Sequence, residues 1–302
     1  MILAPLRGVT LRCFREVFAD AIREAGFTEA VTPFVSAMPG IDPLAGRELA
    51  GGAAEGGLMV TPQFIGKDPE SLRRCLLRVR DAGFATADLN CGCPFPMVRR
   101  KGRGSGILRT SDILRRMLEA GCEVMGEGRF SVKARLGVDA PDELERLLPI
   151  LNEFPLRRLA VHARTARQMY SGECDREAFE RVASAAKMPV VANGDLPVAP
   201  VDAAGREAMV GRAFIRSLGE REDVGELLAR YAEASRRELS GDRAVLGRLK
   251  ELVAYWRPLP AWSRRWNAIK ICRTLDEFAL VALDTVLLAA DHTDRCSLIA
   301  GC

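Results

Sequence analysis

Seven places in the chain put polar or reactive side chains directly behind a short apolar run. They are Pro5-Leu6-Arg7-Gly8, Gln63, Asn90-Cys91-Gly92-Cys93-Pro94, Lys133 with Arg135, His162 with Arg164, Asn193-Gly194-Asp195, and Gly211-Arg212. Gly, Asn and Asp form turns and would stand at strand ends in any case. Gln, Lys, His and Cys do not, so turn formation accounts for only part of the set. Cys93 precedes Pro94, and a thiol buried there would stay protonated and could act as an acid. The competing reading is an inert buried cysteine. Lys133 and His162 would project from neighbouring strands. They could steady negative charge on a cofactor ring, or be a rim lysine and a hydrogen-bonded core histidine. Asn193-Gly194 and Gly211-Arg212 form a pair of glycine turns suited to a phosphate, which backbone N–H groups and a guanidinium can hold. A lone Cys91-x-Cys93 lacks the second ligand pair of a zinc site, and His162 and His292 are the only histidines, so no metal is expected.

The elements that must position these groups are legible as an alternation. Eight short apolar runs read as buried parallel strands: Ile2 to Ala4, Glu29 to Thr32, Met59 to Phe64, Thr86 to Leu89, Ser131 to Ala134, Arg158 to Val161, Pro189 to Ala192, and Glu207 to Val210. Amphipathic patterns between them predict helices, as over Leu11 to Ala25, Pro69 to Ala82, Asp112 to Met125 and Arg176 to Ala186. Eight such repeats point to an α/β fold, a closed (β/α)₈ TIM barrel, with the reactive residues on the rim where strands end. From Glu222 to Asp291 only helical spacing recurs. The expected division is a barrel over 1–218 and a small all-helical domain over 219–302. The glycine-rich stretch Gly51 to Gly57 reads as a flexible loop.

Composition sets outer limits. The chain has 302 residues, 48% hydrophobic and 28% charged, with a net charge of +4. These are ordinary values for a globular chain. Nine scattered cysteines form no disulfide framework. Met1 to Pro5 is too short for a signal-peptide core, and no long uncharged apolar stretch suggests a membrane span. A cytoplasmic protein with reduced thiols is therefore expected. The modest net charge hides two basic clusters. Arg99 to Arg116 holds seven basic residues against one acid, and Arg236 to Arg273 holds ten against three. Basic residues contact nucleic-acid phosphate and aromatics can stack on bases. Trp256, Trp262 and Trp266 lie in the second cluster but read better as core residues.

At these residues the chain resembles the tRNA-dihydrouridine synthases. The match is carried by Leu89-Asn90-Cys91-Gly92-Cys93-Pro94 with Val98, Gly102, Gly104 and Gly106, and by Leu3-Ala4-Pro5-Leu6-Arg7-Gly8-Val9-Thr10. It continues through Gln63-Phe64-Ile65-Gly66, Val132-Lys133-Ala134-Arg135-Leu136-Gly137, His162-Ala163-Arg164-Thr165 with Tyr170-Ser171-Gly172, Asn193-Gly194-Asp195 and Val210-Gly211-Arg212. The resemblance implies a barrel with a helical C-terminal domain, bound FMN, NADPH as electron donor, and a tRNA whose uridine is reduced to 5,6-dihydrouridine. Carried over, it makes Cys93 the general acid that protonates uracil C5 after hydride reaches C6. Pro5, Leu6, Gln63, Lys133 and His162 would hold the flavin ring. Asn193, Gly194, Asp195, Gly211 and Arg212 would hold its phosphate. Asn90 would touch the uracil edge and Arg164 would help place the base. Arg100, Lys101, Arg103, Arg248, Lys250 and Arg273 are the expected contacts to RNA phosphates. Leu6 stands where the family often has Met, and Pro33 where it usually has Glu. The segment from Asn193 to Arg212 is about six residues short, so the seventh barrel helix should lose roughly a turn and a half. Two alternatives stay open: an FMN barrel reductase of a small molecule such as an enone, and a flavin-free RNA-binding homologue without catalysis. The sequence does not say which uridine is reduced, whether ribosomal RNA replaces tRNA, or what the oligomeric state is; a monomer is compatible with it.

Overall fold

The computed structural model describes residues 1–283; residues 284–302, His292 among them, lie outside the described residues. The chain divides into two compact units, Met1–Ala213 and Phe214 onward. The first is built on eight parallel strands: β1 (Ile2–Leu3), β2 (Glu29–Val31), β3 (Leu58–Thr61, resumed after Pro62 as Gln63–Ile65), β4 (Ala87–Cys91), β5 (Phe130–Gly137), β6 (Leu159–Thr165), β7 (Val190–Asn193) and β8 (Ala208–Val210). Each pairs with the next, and β8 returns to β1 with Met209 opposite Ile2 and Val210 opposite Leu3. The ring is closed, and all eight apolar runs expected from the sequence are strands in it.

Pro62 shows how a single residue shapes this wall. It has no N–H to give the ladder, so β3 is interrupted there. Below it Thr61 pairs with Val31, and above it Gln63 pairs with Asp88. The Pro62 carbonyl still accepts the Asp88 N–H at 2.9 Å. Pro33 does the same for β2, which resumes as Val35–Ser36 against Phe64 and Ile65.

Helices in the first unit are α1 (Arg12–Val17), α2 (Ala19–Glu24), α3 (Pro69–Asp81), α4 (Pro96–Arg99), α5 (Ser111–Met125), α6 (Glu143–Leu151) and α7 (Arg176–Ala185). In α3, Pro69 occupies the first turn and the Asp68 side chain accepts the Ser71 N–H, which fixes the start. Leu72, Cys75, Leu76 and Val79 then recur at helical spacing and are buried. On the strands, Leu89, Cys91, Val132, Ala134, Val161 and Ala163 join the same helix-side core. The alternate positions face inward. Ile2, Ala4, Val31, Ala160, Val191 and Met209 form a separate apolar plug inside the ring.

Three stretches differ from the sequence reading. The helix expected over Leu11 to Ala25 is two helices, parted at Phe18, which leaves the helical region at φ −96° and ψ 17°. Gly51 to Gly57 is no loose loop. Ala54–Glu55 pairs antiparallel with Leu58 and Met59, and Gly56 and Gly57, both at positive φ, make the two-residue turn that such a hairpin needs. Between β7 and β8 the expected shortened helix is missing altogether; residues 194–207 run as a loop closed by a Val201–Glu207 bridge. Pro197 and Pro200 stand within this stretch, and neither has an N–H to give a helix.

The second unit contains only helices among the described residues. After α8 (Arg212–Leu218), which begins at the end of the barrel, come α9 (Val224–Arg236), α10 (Asp242–Val253), α11 (Pro260–Ser263), α12 (Trp266–Ile271) and α13 (Leu275–Leu283). Trp256 and Trp262 are buried with ring centroids 4.7 Å apart. Their indole N–H groups donate to the carbonyls of Ile215 (2.6 Å) and Gly219 (2.8 Å). They are core residues, as expected. No helix of the described residues is long and apolar enough to cross a membrane.

Candidate active site

The rim at the C-terminal ends of the strands gathers every polar group that the sequence placed there. On β4, Asp88 and Asn90 alternate inward while Leu89 and Cys91 face the helices. Gln63 of β3 donates its Nε2–H to Asp88 Oδ1 at 2.8 Å. Its Oε1 accepts from Asn90 Nδ2 at 2.7 Å. Asn90 Oδ1 then accepts the backbone N–H groups of Gly92 (3.1 Å) and Cys93 (2.9 Å). A row of amides thus runs from a buried carboxylate to the backbone of the thiol. Asp88 Oδ2 has no hydrogen-bond partner. Burial raises the Asp88 carboxyl to about 6, against the opposing pull of Gln63, Arg158 and Lys133.

Cys93 sits in the loop after β4, buried at 7% exposure. Its carbonyl accepts from both the N–H (3.1 Å) and the hydroxyl (2.9 Å) of Ser105. Gly104, at φ +55°, lies so close that a Cβ there would stand 2.7 Å from the Cys93 Cβ. Burial pushes the thiol up, while the Phe95 N–H and the charges of Arg7 and Arg135 favour the thiolate. The thiol is therefore protonated at neutral pH, with stabilisation in place for the anion left when the proton departs. Cys91 differs: it is buried among helix residues, where burial raises its thiol further still.

The other half of the rim is cationic. Lys133 of β5 donates to Asn193 Oδ1 at 2.8 Å, and Asn193 Nδ2 donates to the Met209 carbonyl at 2.7 Å. Burial, with Arg135 adding to it, brings the Lys133 ammonium down to about 8. Arg135, two residues on, is 2% exposed and donates to the carbonyls of Gly92 and Thr165, both at 3.0 Å. Burial holds its guanidinium down at about 10. His162 stands opposite Arg135 on β6, and burial together with Arg135, Lys133, Arg164 and Arg212 keeps it neutral. Asp195 bridges Arg164 and Arg212. The rings of His162 and Tyr170 lie 6.3 Å apart, and the guanidinium groups of Arg135 and Arg212 flank Tyr170 at 5.3 and 4.9 Å. Two close approaches explain the glycine turns. A Cβ on Gly194 would meet the His162 ring at 2.6 Å, and one on Gly211 would meet Ala4 at 3.1 Å and Leu6 at 3.4 Å.

Hydrogen bonds and close packing thus link Leu6, Gln63, Asn90, Cys93, Lys133, His162, Arg164, Asn193, Gly194, Asp195, Gly211 and Arg212 around one barrel mouth, with Pro5 in the same β1 loop. Arg100, Lys101 and Arg103 follow Cys93 on α4 and the turn after it, and none forms an ion pair among the described residues. The second-unit cations are used differently. Arg248 pairs with Glu238 at 2.7 Å, each side chain 12% exposed, and the Lys250 ammonium donates to the carbonyls of Lys270 and Cys272. Arg273 is exposed. Two residues escaped the sequence reading. Asp88 was signalled only by a charge alternating with Asn90 inside an apolar run. Arg135 stands among the strand-end residues, and its type and place alone assign it no part. Among the described residues no group of three or more His, Cys, Asp or Glu could hold a metal ion.

Comparison with known proteins agrees with this geometry. A family model described as dihydrouridine synthase matches residues 2–209. Curated relatives include tRNA-dihydrouridine synthase B of Vibrio vulnificus, 29% identical over 198 residues, and the tRNA-dihydrouridine(16) synthase of Cupriavidus necator, 30% identical over 203. Both alignments cover 65% of this chain, and they span only 60% and 62% of those relatives' lengths. Among solved structures, an old yellow enzyme homologue from Zymomonas mobilis superposes with a TM-score of 0.52 at 12% identity, covering 72% of this chain and 85% of that one. A morphinone reductase complex with tetrahydroNAD superposes at 0.50 and 13%, covering 72% and 83%. These two likenesses concern the fold alone. The family model matches well over half of the chain, from β1 into β8, so the chain belongs to the dihydrouridine synthase family.

Proposed function

We propose that this protein reduces uridine to 5,6-dihydrouridine in tRNA, using FMN at the barrel mouth and NADPH as electron donor. One observation carries the reading: Lys133 and Arg135 lie in the barrel mouth with no ion-pair partner among the described residues, next to a protonated thiol. Lys133 is half-buried and Arg135 buried; holding cations away from water without an ion pair is costly, and a bound anion relieves that cost. The residues fit a flavin mononucleotide. Lys133 and neutral His162, with Pro5, Leu6 and Gln63, would hold the ring. The backbone of Asn193, Gly194 and Asp195, with Gly211 and Arg212, would hold the phosphate. Asp195 enters through its backbone, because its carboxylate already joins Arg164 to Arg212. When bound, the flavin supplies hydride to uracil C6.

The chain's own residues do the rest. Cys93 donates its proton to C5, and the Phe95 N–H with Arg7 and Arg135 stabilises the resulting thiolate. Asn90 contacts the uracil edge and Arg164 helps place the base. Arg100, Lys101 and Arg103 contact phosphates flanking a uridine extruded into the mouth. Arg248 and Lys250, held by internal partners, are left out of that set.

The test is reduction of transcribed tRNA by protein supplied with FMN and NADPH, with dihydrouridine measured by mass spectrometry. Cys93→Ala should lower the rate by about 10²-fold or more. Unchanged uridine in the presence of the wild-type protein, or full turnover by the variant, would overturn the reading.

A further inference from the structure

The row Asp88–Gln63–Asn90 has a fixed polarity, and that polarity bears on which base the site accepts. Its two ends settle the direction independently. At one end Asp88, ionised at neutral pH, can only accept, so it receives the Gln63 Nε2–H (2.8 Å). At the other end the backbone N–H groups of Gly92 (3.1 Å) and Cys93 (2.9 Å) can only donate, so Asn90 must turn its oxygen toward them. The middle bond, Asn90 Nδ2–H to Gln63 Oε1 at 2.7 Å, is the only arrangement compatible with both ends. Flipping either amide would set donor against donor or acceptor against acceptor.

Counting hydrogen-bond capacity shows what is left for a ligand. The Asn90 oxygen already accepts two N–H groups, which fills its two lone pairs. Its nitrogen has given one hydrogen to Gln63 and keeps a second. Gln63 and Asp88 are fully buried, whereas Asn90 keeps 8% exposure. The reachable end of the row therefore offers an N–H donor and no acceptor. We infer that Asp88 and Gln63 act as positioning residues that hold Asn90 as a donor, so that the site takes a pyrimidine presenting a carbonyl and rejects one presenting an amino group there. Uracil has a carbonyl at position 4; cytosine has an amino group, which would face the Asn90 N–H with nothing to accept it. Arg158, Lys133 and Glu29, from β6, β5 and β2 or their ends, are the charged groups that bear on Asp88. The inference rests on the proposed contact between Asn90 and the base.

Binding of oligouridylate and oligocytidylate of equal length tests it, because both present the same phosphates and differ in the base. Wild-type protein should prefer the uridine oligomer by roughly 10- to 100-fold, the range expected when a mismatch leaves a buried polar group unpaired. Asn90→Asp alone sets two acceptors against each other at Gln63 and should weaken binding of both. Adding Asp88→Asn supplies a donor to the reversed Gln63, so the double variant should regain affinity with its preference shifted toward cytidine. A purely structural role for Asp88 predicts no such rescue. Equal binding of the two oligomers by the wild-type protein, or a double variant no better than the single one, overturns the inference. Dihydrouridine formation in tRNA, measured separately, stands or falls without regard to either result.

Discussion

The two ends of the barrel handle buried charge in opposite ways. At the end where strands begin, Glu29 is almost fully buried and receives Arg157 and Arg158 together with the Thr61 hydroxyl at 2.5 Å. Burial works against its charge, but the hydrogen bonds from the two arginines win and hold the carboxyl down at about 2. At the end where strands finish, Lys133 and Arg135 have no ion-pair partner among the described residues, and both are shifted toward losing their charge. The first arrangement is complete in itself and serves the fold. The second has no ion pair among the described residues, and in the proposed function an anionic cofactor supplies the counter-charge. Charge that the fold leaves uncompensated marks a candidate site better than charge density does.

The largest effect that would sharpen this contrast is at the closed end. Glu29→Gln leaves two arginines facing a neutral group and should lower the unfolding free energy by about 3–5 kcal/mol in urea titrations. The pH dependence has a definite sign. Because the folded carboxyl sits below its ordinary 4.5, its contribution is complete above that value and is lost as the pH falls toward 2.

At the open end, reversing Arg100, Lys101 and Arg103 together should weaken tRNA binding strongly and flatten the salt dependence by about 2–3 in the log–log slope, with thermal stability unchanged. A variant that unfolds instead would mean those charges belong to the fold. A third effect is smaller. Lys133 loses its proton as the pH rises through about 8, so FMN affinity should decline above that value, by about tenfold per pH unit at most. Calorimetry in two buffers of different ionisation heat should find proton uptake on binding there; a flat profile would detach Lys133 from the cofactor. The smallest expected effect is on RNA binding by Arg248→Ala, which should change tRNA affinity by less than about threefold while costing about 1–3 kcal/mol of stability, since it strands Glu238. Equal losses at Arg248 and Arg100 would erase the distinction between paired and unpaired cations.

The strand order and the rim were readable because each depends on local pattern. Short apolar runs announce strands, and Gln, Lys, His or Cys behind such a run has no turn-forming excuse. What the pattern could not announce were matters of partnership. Pro33 looked like a lost carboxylate, yet it interrupts β2 just as Pro62 interrupts β3. The basic residues 236–273 looked like a nucleic-acid surface as much as 99–103 did. Only the fold shows that Arg248 and Lys250 are held by groups of their own unit. The hairpin at Gly56–Gly57 was hidden because its first strand is two residues long. The missing helix between β7 and β8 was half visible, as a shortage of residues, but not whether a short helix or none would survive it.

Cys91 and Cys93 stand two positions apart but on opposite sides of the barrel wall. One is buried against helices, and the other is held at the mouth by Ser105 and Gly104. Side chains that diverge in this way cannot be bridged without backbone movement. An oxidant reaching the mouth would therefore find Cys93 with no companion thiol on Cys91 to trap it as an internal disulfide, and the damage would proceed through sulfenic acid toward forms that thiol reductants do not reverse.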